Sequence, residues 1–268
     1  MNDFDPMGTT AIITGASSGF GVEFAHRLAE RGADLVLVAR REDRLNALAD
    51  ELAAKYGTAS TVVALDLSSP DAAATLRARL DGLRVSTLVN NAGYGSHGEF
   101  ADSDPDATHN QIELNVQALV ALTRAFLPDL VAAGTDRAGS AALVNLASTA
   151  AFQPVPRMAV YGATKAFVLS FTEALWYETK GSGLKVTALC PGPASTEFFD
   201  IANNGDSTFG AMESADEVVA TAMRALDRRA TPPSVVSGTR NSLQAKVAGI
   251  APRRLVVEAV GFIGRDRD

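Results

Sequence analysis

The chain has 268 residues, 47% hydrophobic and 21% charged, which is enough for one buried core and ordinary for a water-soluble fold. Its net charge of −7 argues against nucleic acid as the main partner, and its single cysteine, Cys190, excludes an internal disulfide and any cysteine-cluster metal site. His26, His97 and His109 show no metal-ligand spacing, no apolar run approaches ~18 residues, and the first residues do not read as a signal peptide, so no metal, no membrane span and a cytoplasmic protein are expected.

Apolar, β-branched runs recur along the chain. Residues 10–13, 34–39, 61–65, 87–90, 142–146, 185–189 and 234–236 read as seven strands, and their near-continuous apolarity predicts a parallel sheet buried on both faces. The first strand runs into Thr14-Gly15-Ala16-Ser17-Ser18-Gly19-Phe20-Gly21, from which a helix is predicted over 19–31, ended by Gly32. Such a turn leaves backbone N–H groups without intrahelical partners, so Gly15, Ser17, Ser18, Gly19, Phe20 and Gly21 read as a phosphate cradle. Gly15 suits the tight turn, Gly19 a close cofactor and Gly21 the packing of helix on strand. The spacing G-x-x-x-G-x-G also fits an ordinary strand-to-helix turn.

The second strand ends at Arg40-Arg41, with no acid where an NAD site holds its ribose diol. A guanidinium at Arg40 suits a 2′-phosphate and predicts NADP(H) in preference to NAD(H), the plainer reading being a solvated pair opening the next helix. Ser69-Pro70 and Asp104-Pro105 each read as an N-cap followed by proline at the first helical position, and Ser214 to Glu217 reads as a capping box.

Asn91, Ala92 and Gly93 close the fourth strand with amides and a permissive glycine, suited to a cofactor pocket. Ser148 follows the fifth strand at the carboxyl edge, where its hydroxyl could polarise a carbonyl. Tyr161 and Lys165 stand four residues apart on a predicted helix and share one face. An ammonium ~5 Å from the phenolate contributes ~3 kcal/mol at an effective dielectric near 20, which predicts a tyrosine brought from ~10 toward neutral pH. Tyr94, Phe152, Pro154, Val155, Pro156 and Met158 point to an apolar substrate or simply to core, while His97 and Gln153 could supply polar selectivity, surface roles being favoured for both.

The long stretch 191–213 carries Phe198, Phe199, Ile201, Phe209 and Met212 and reads as a substrate lid or as a loop packed permanently on the core. From Arg224 to Asp268 there are eight arginines and one lysine against four acids, a net of +5, so 240–268 is a basic C-terminal segment. A solvated face is favoured there over an anionic partner, a peripheral lipid contact or an oligomer contact.

Taken together, Thr14 to Gly21, Asp66, Asn90-Asn91-Ala92-Gly93, Asn115, Ser148, Tyr161-x-x-x-Lys165 and Pro191-Gly192 resemble the short-chain dehydrogenases/reductases, firmly over 9–196 and weakly beyond. With the strand and helix alternation, the resemblance implies one doubly wound α/β domain of Rossmann type over 1–268. It implies Tyr161 as catalytic acid/base, Ser148 as carbonyl-orienting donor, and Lys165 as ribose ligand and electrostatic partner of Tyr161. Asn115 would hold a water-linked proton path to Lys165, Asp66 would contact adenine, and Pro191, Gly192 and Thr196 would grip the nicotinamide. The implied function is NADP(H)-dependent hydride transfer with the carbonyl or secondary alcohol of a hydrophobic small molecule. A 3-oxoacyl thioester reductase and a non-catalytic nucleotide-binding regulatory protein are the alternatives. The resemblance also implies a homodimer or homotetramer packed through the helices around 111–133 and 160–179.

Overall fold

A computed structural model of the chain describes residues 4–194 and 212–265. Strands β1 (Thr10–Thr14), β2 (Asp34–Ala39), β3 (Ser60–Ala64), β4 (Val85–Asn90), β5 (Ala142–Leu146), β6 (Lys185–Cys190) and β7 (Ser234–Val236) form one sheet. Its order is β3-β2-β1-β4-β5-β6-β7, and every neighbouring pair is parallel. The helices are α1 (Gly19–Glu30), α2 (Glu42–Tyr56), α3 (Ala72–Arg79), α4 (Pro105–Ile112), α5 (Leu119–Asp136), α6 (Ala159–Glu178), α7 (Ala215–Leu226), α8 (Thr239–Ile250) and α9 (Arg253–Arg265).

Alternation along each strand divides the core in two. Ile13, Leu35, Leu37, Val89, Val144 and Leu189 pack against Phe24 and Leu28 of α1, Leu48 and Leu52 of α2, and Val218 and Ala222 of α7. Their neighbours Ile12, Val36, Val38, Leu88, Leu143 and Val186 face the opposite way, onto Leu76 of α3, Leu122, Phe126 and Leu130 of α5, and Leu175 of α6. Both faces are covered, which is why the strands read as unbroken apolar runs.

The seven expected strands are present with boundaries shifted by at most two residues. Asp104 caps α4 by accepting from Asp106 N at 3.0 Å, and the Ser214 capping box opens α7. Ser69-Pro70 does not open a helix, contrary to expectation. Asp66 takes hydrogen bonds from Ser68 N and Oγ, which winds 66–70 into a turn, and α3 starts only at Ala72 after Asp71.

Between α4 and α5 the residues Glu113–Ala118 form a π-helical turn, so the run 105–136 is one long helix. One 18-residue window in it has a mean hydropathy of 1.4, long and apolar enough by composition to cross a membrane, where the sequence led us to expect no such stretch. Leu119, Leu122, Phe126 and Leu130 of this run are buried, and α5 packs on β4 and α3 as a core helix does.

The chain moves outward from β1 to β3 and returns to place β4 beside β1. Strand order therefore reverses between β1 and β4, and a crevice opens at the carboxyl ends of these strands.

Candidate active site

The crevice starts at the turn after β1. Gly15 and Gly19 hold φ of +66° and +53°, values that L side chains rarely adopt. A β-carbon on Gly21 would run into the Gly15 carbonyl, so only glycine lets α1 close on the turn. Ser18, the N-cap of α1, makes no side-chain capping bond, and the first turn carries no acid, leaving backbone N–H groups and the positive end of the helix for an anion. Arg41 donates to Ser17 Oγ from Nε at 3.2 Å and from Nη2 at 3.0 Å, joining the start of α2 to this turn. Arg40 is exposed and lines the same crevice with Asp66. The Ser68 hydroxyl holds the Asp66 carboxyl below its usual range, burial works against it, and Arg40 adds to the depression.

At the end of β4 the two asparagines diverge. Asn90 turns into the core and donates to Thr123 Oγ1 at 3.0 Å and Asn145 Oδ1 at 2.9 Å, while Asn145 donates to Thr172 Oγ1 at 2.9 Å. Asn91 turns to the crevice and donates to Thr14 O and Gly15 O, at 2.9 and 3.2 Å. It thereby ties the glycine-rich turn to β4. A β-carbon on Gly93 would lie 2.9 Å from Asn115 Oδ1 and 3.5 Å from Lys165 Nζ, so glycine permits their close approach.

Asn115 lies buried in the π-helical turn. Its amide donates to Tyr94 O at 2.8 Å and Thr164 Oγ1 at 3.1 Å, and its Oδ1 accepts from Tyr94 N at 3.0 Å. These bonds fix the segment after β4 against the first turns of α6. That helix brings Tyr161 and Lys165 to the crevice opposite Ser148, which follows β5 and accepts from Ala150 N at 3.1 Å. Ser148 and Tyr161 are joined by a side-chain hydrogen bond. Lys165 Nζ donates to Leu146 O at 2.7 Å and stands 5.7 Å from the centre of the Tyr161 ring.

The expected depression of the tyrosine is overturned. Burial pushes the Tyr161 phenol up to about 12, with the Ser148 bond pulling the other way, and burial pushes Lys165 down to about 8. Charging either group inside the crevice costs its hydration, a contribution that the attraction between ammonium and phenolate does not offset in this state. Cys190, buried at the end of β6, is raised to about 12 for the same reason, as suits a small core residue.

A continuous cavity of about 1320 Å³ connects these groups. Gly15, Ser17, Ser18, Gly19, Phe20, Arg40 and Asp66 line one end, Asn91, Ala92 and Gly93 the middle, and Ser148, Tyr161, Lys165, Pro191 and Gly192 the other. The volume exceeds the ~300–1,000 Å³ of a pocket for one small molecule and fits an extended dinucleotide with a second compound beside it. Gly21 and Asn115 stand behind the wall rather than in it. Thr196 and most of the expected lid, with Phe198, Phe199, Ile201 and Phe209, lie outside the described residues.

Of the expected apolar neighbours, Tyr94, Val155 and Met158 line the cavity, as does Gln153, whereas Phe152 packs beside Leu119, Val168 and Cys190. Sequence reasoning missed the far wall, formed by Leu243 and Val247 of α8 and Leu255, Val256 and Val260 of α9. The apolar spacing of α9 was a usable signal, masked by the arginines on either side of it.

A family model described as short chain dehydrogenase matches residues 9–206. Sulfoacetaldehyde reductase 2 of Chromohalobacter salexigens is 41% identical over 203 residues, which cover 75% of this chain and 78% of that protein. A short-chain dehydrogenase from Sphingobium yanoikuyae, solved in complex with NADPH, is 38% identical with a TM-score of 0.76 and covers 85% of this chain and 87% of its own. A 7β-hydroxysteroid dehydrogenase structure is 28% identical with a TM-score of 0.85, and the match takes in 97% of this chain and 100% of that one.

Proposed function

The chain belongs to the short-chain dehydrogenase family and is an oxidoreductase of that family, and we propose that it transfers a hydride between NADP(H), preferred over NAD(H), and the carbonyl or secondary alcohol of an apolar small molecule. The observation that carries the reading is the hydrogen-bonded pair Ser148 and Tyr161, with Lys165 beside it, at the opposite end of one cavity from the glycine-rich turn and Arg40.

The residues present suit a nicotinamide dinucleotide. The free N–H groups at the start of α1 and Gly15 to Gly19 would hold its pyrophosphate, Arg40 a 2′-phosphate, Asp66 the adenine, Lys165 a ribose, and Pro191 and Gly192 the nicotinamide. Thr196 is assigned to the nicotinamide on the family resemblance alone. When bound, the cofactor supplies or accepts the hydride.

The protein's own groups manage the proton and the charge. Because burial keeps Tyr161 neutral, its phenol is loaded as a proton donor to a carbonyl oxygen across the neutral range. Ser148 Oγ donates a hydrogen bond to the same oxygen as negative charge develops there. Lys165, held by Leu146 O, stands close enough to stabilise the phenolate left behind. In the oxidative direction the roles reverse, and the proton of the alcohol passes to Tyr161 in its phenolate form, which Lys165 is placed to stabilise and which burial disfavours. Asn115 acts on these groups by holding the segment after β4 against Thr164, and it would also hold the water-linked proton path to Lys165. The wall of Leu114, Val155, Met158, Leu243, Val247 and Leu255 favours an apolar body on the substrate.

Consumption of NADPH with a panel of hydrophobic aldehydes, ketones and diketones tests this reading. Turnover of at least one member supports it, and binding of NADPH without turnover of any favours a regulatory nucleotide-binding protein.

A further inference from the structure

Among the described residues four cations line the cavity, and three have partners that explain their positions. Arg41 is bonded to Ser17, Arg40 stands beside Asp66, and Lys165 donates to Leu146 O. The fourth, Arg240 in the first turn of α8, has neither a hydrogen bond nor an ion pair among the described residues. It sits at the substrate end of the cavity, remote in the fold from the Arg40 end, because its neighbour Asn241 packs on Gly192.

That placement is built rather than incidental. Glu213 Oε2 accepts from Asn241 Nδ2 at 2.9 Å and Glu213 Oε1 from Ser237 Oγ at 2.7 Å, while Asn241 Nδ2 also donates to Ser237 O at 2.9 Å. The backbone of Glu213 is itself fixed, since its N–H donates to Pro193 O at 3.1 Å and it bridges to Ala194. A β-carbon on Gly192 would run into the Asn241 amide, and one on Gly238 would come within 3.1 Å of Glu213 Oε1. Glu213 thus clasps the start of α8 to the strand end at Pro191–Ala194. Its carboxylate is held by Ser237 and Asn241, and Arg240, one residue along, lines the cavity with no ion pair to Glu213.

Arg240 is exposed, with Asn241 and Gln244 as polar neighbours and Leu243 and Val247 as apolar ones along the same wall, and a guanidinium without a partner among the described residues selects for a ligand that brings the missing anion. We propose that Arg240 is a substrate-recognition residue and that the carbonyl compounds this site takes carry a carboxylate or sulfonate on an apolar body, the acidic group lying on Arg240. The inference rests on the carbonyl reading above and deepens it. Glu213 is the positioning residue of the same subsite.

The test compares the semialdehydes of succinate, adipate and suberate with their methyl esters, in wild type, Arg240→Gln, Arg240→Lys and Glu213→Gln. Wild type should prefer the acid over the ester of at least one pair, by about 10- to 100-fold in kcat/KM, the range of one charge-assisted hydrogen bond. Arg240→Gln should erase that preference by raising KM for the acid, with the ester and the affinity for NADPH unchanged, and Arg240→Lys should restore part of it. Glu213→Gln should reduce the preference with kcat on the ester retained, which a merely stabilising clasp would not do. Equal losses on acid and ester in Arg240→Gln, or weakened NADPH binding instead, would overturn the inference, as would a wild type that prefers every ester. In that last case turnover of the esters leaves the carbonyl reading standing, and no turnover of any of these compounds overturns the inference while the hydrophobic panel decides the carbonyl reading.

Discussion

The Lys165 ammonium donates to the Leu146 carbonyl at 2.7 Å, two residues before Ser148, so the helix that carries Tyr161 is anchored to the strand end that carries its hydrogen-bond partner. One lysine therefore fixes the spacing of the reacting groups and carries a charge that burial opposes.

That opposition has a measurable pH dependence. Below about pH 8 the lysine is charged in both folded and unfolded chains, and the folded state bears the full cost of burying it. As the pH rises through about 8 the folded chain releases the proton while the unfolded one holds it to about 10.5, so stability is recovered across this window. The stability of wild type relative to Lys165→Met should rise by about 3 kcal/mol from one side of the window to the other. Urea unfolding of both proteins measures it, and parallel pH profiles would contradict a charged, buried Lys165.

Arg40→Ala should weaken NADPH binding about 10- to 100-fold and leave NADH binding as it was, since the lost interaction is one charge-assisted contact with a group that NADH lacks. Fluorescence titration with both cofactors reads the difference. If wild type binds the two equally, Arg40 is a solvated surface residue and has no part in selection.

Gly21→Ala should destabilise the protein by about 1–3 kcal/mol, because the new methyl meets the Gly15 carbonyl, part of a backbone turn that Asn91 also holds. Thermal unfolding should show the loss, and an unchanged midpoint would mean that α1 can slide away from the turn.

Much of this site was legible from the residues. Strands buried on both faces show unbroken apolar runs, and a glycine-rich turn, an i, i+4 tyrosine–lysine pair and a serine after a strand all fall at the carboxyl edge once the alternation of strand and helix is recognised. What escaped was set by tertiary contacts. The π-helical turn at Asn115 has no periodic signature, and it forms where that side chain bonds Tyr94 N and O on another segment. Ser69-Pro70 looked like a helix start because the hold of Asp66 on Ser68 is not written in a local pattern. The direction of the Tyr161 shift was misjudged because attraction to Lys165 can be estimated from spacing, while the cost of burying both groups requires the surrounding wall.

Ser148→Ala should reduce kcat about 10²- to 10³-fold with little change in cofactor affinity, the range found when one donor to a developing oxyanion is removed. Steady-state kinetics with any compound the wild type reduces gives the value. A change confined to KM would make Ser148 a binding residue only.

The most direct measurement compares NADPH consumption by wild type and Tyr161→Phe, with NADPH binding measured on both proteins. Removing one hydroxyl leaves the ring and its packing in place, so the variant should bind NADPH as wild type does and lose turnover by at least about 10²-fold. Retained turnover in Tyr161→Phe would contradict Tyr161 as the acid/base of this site.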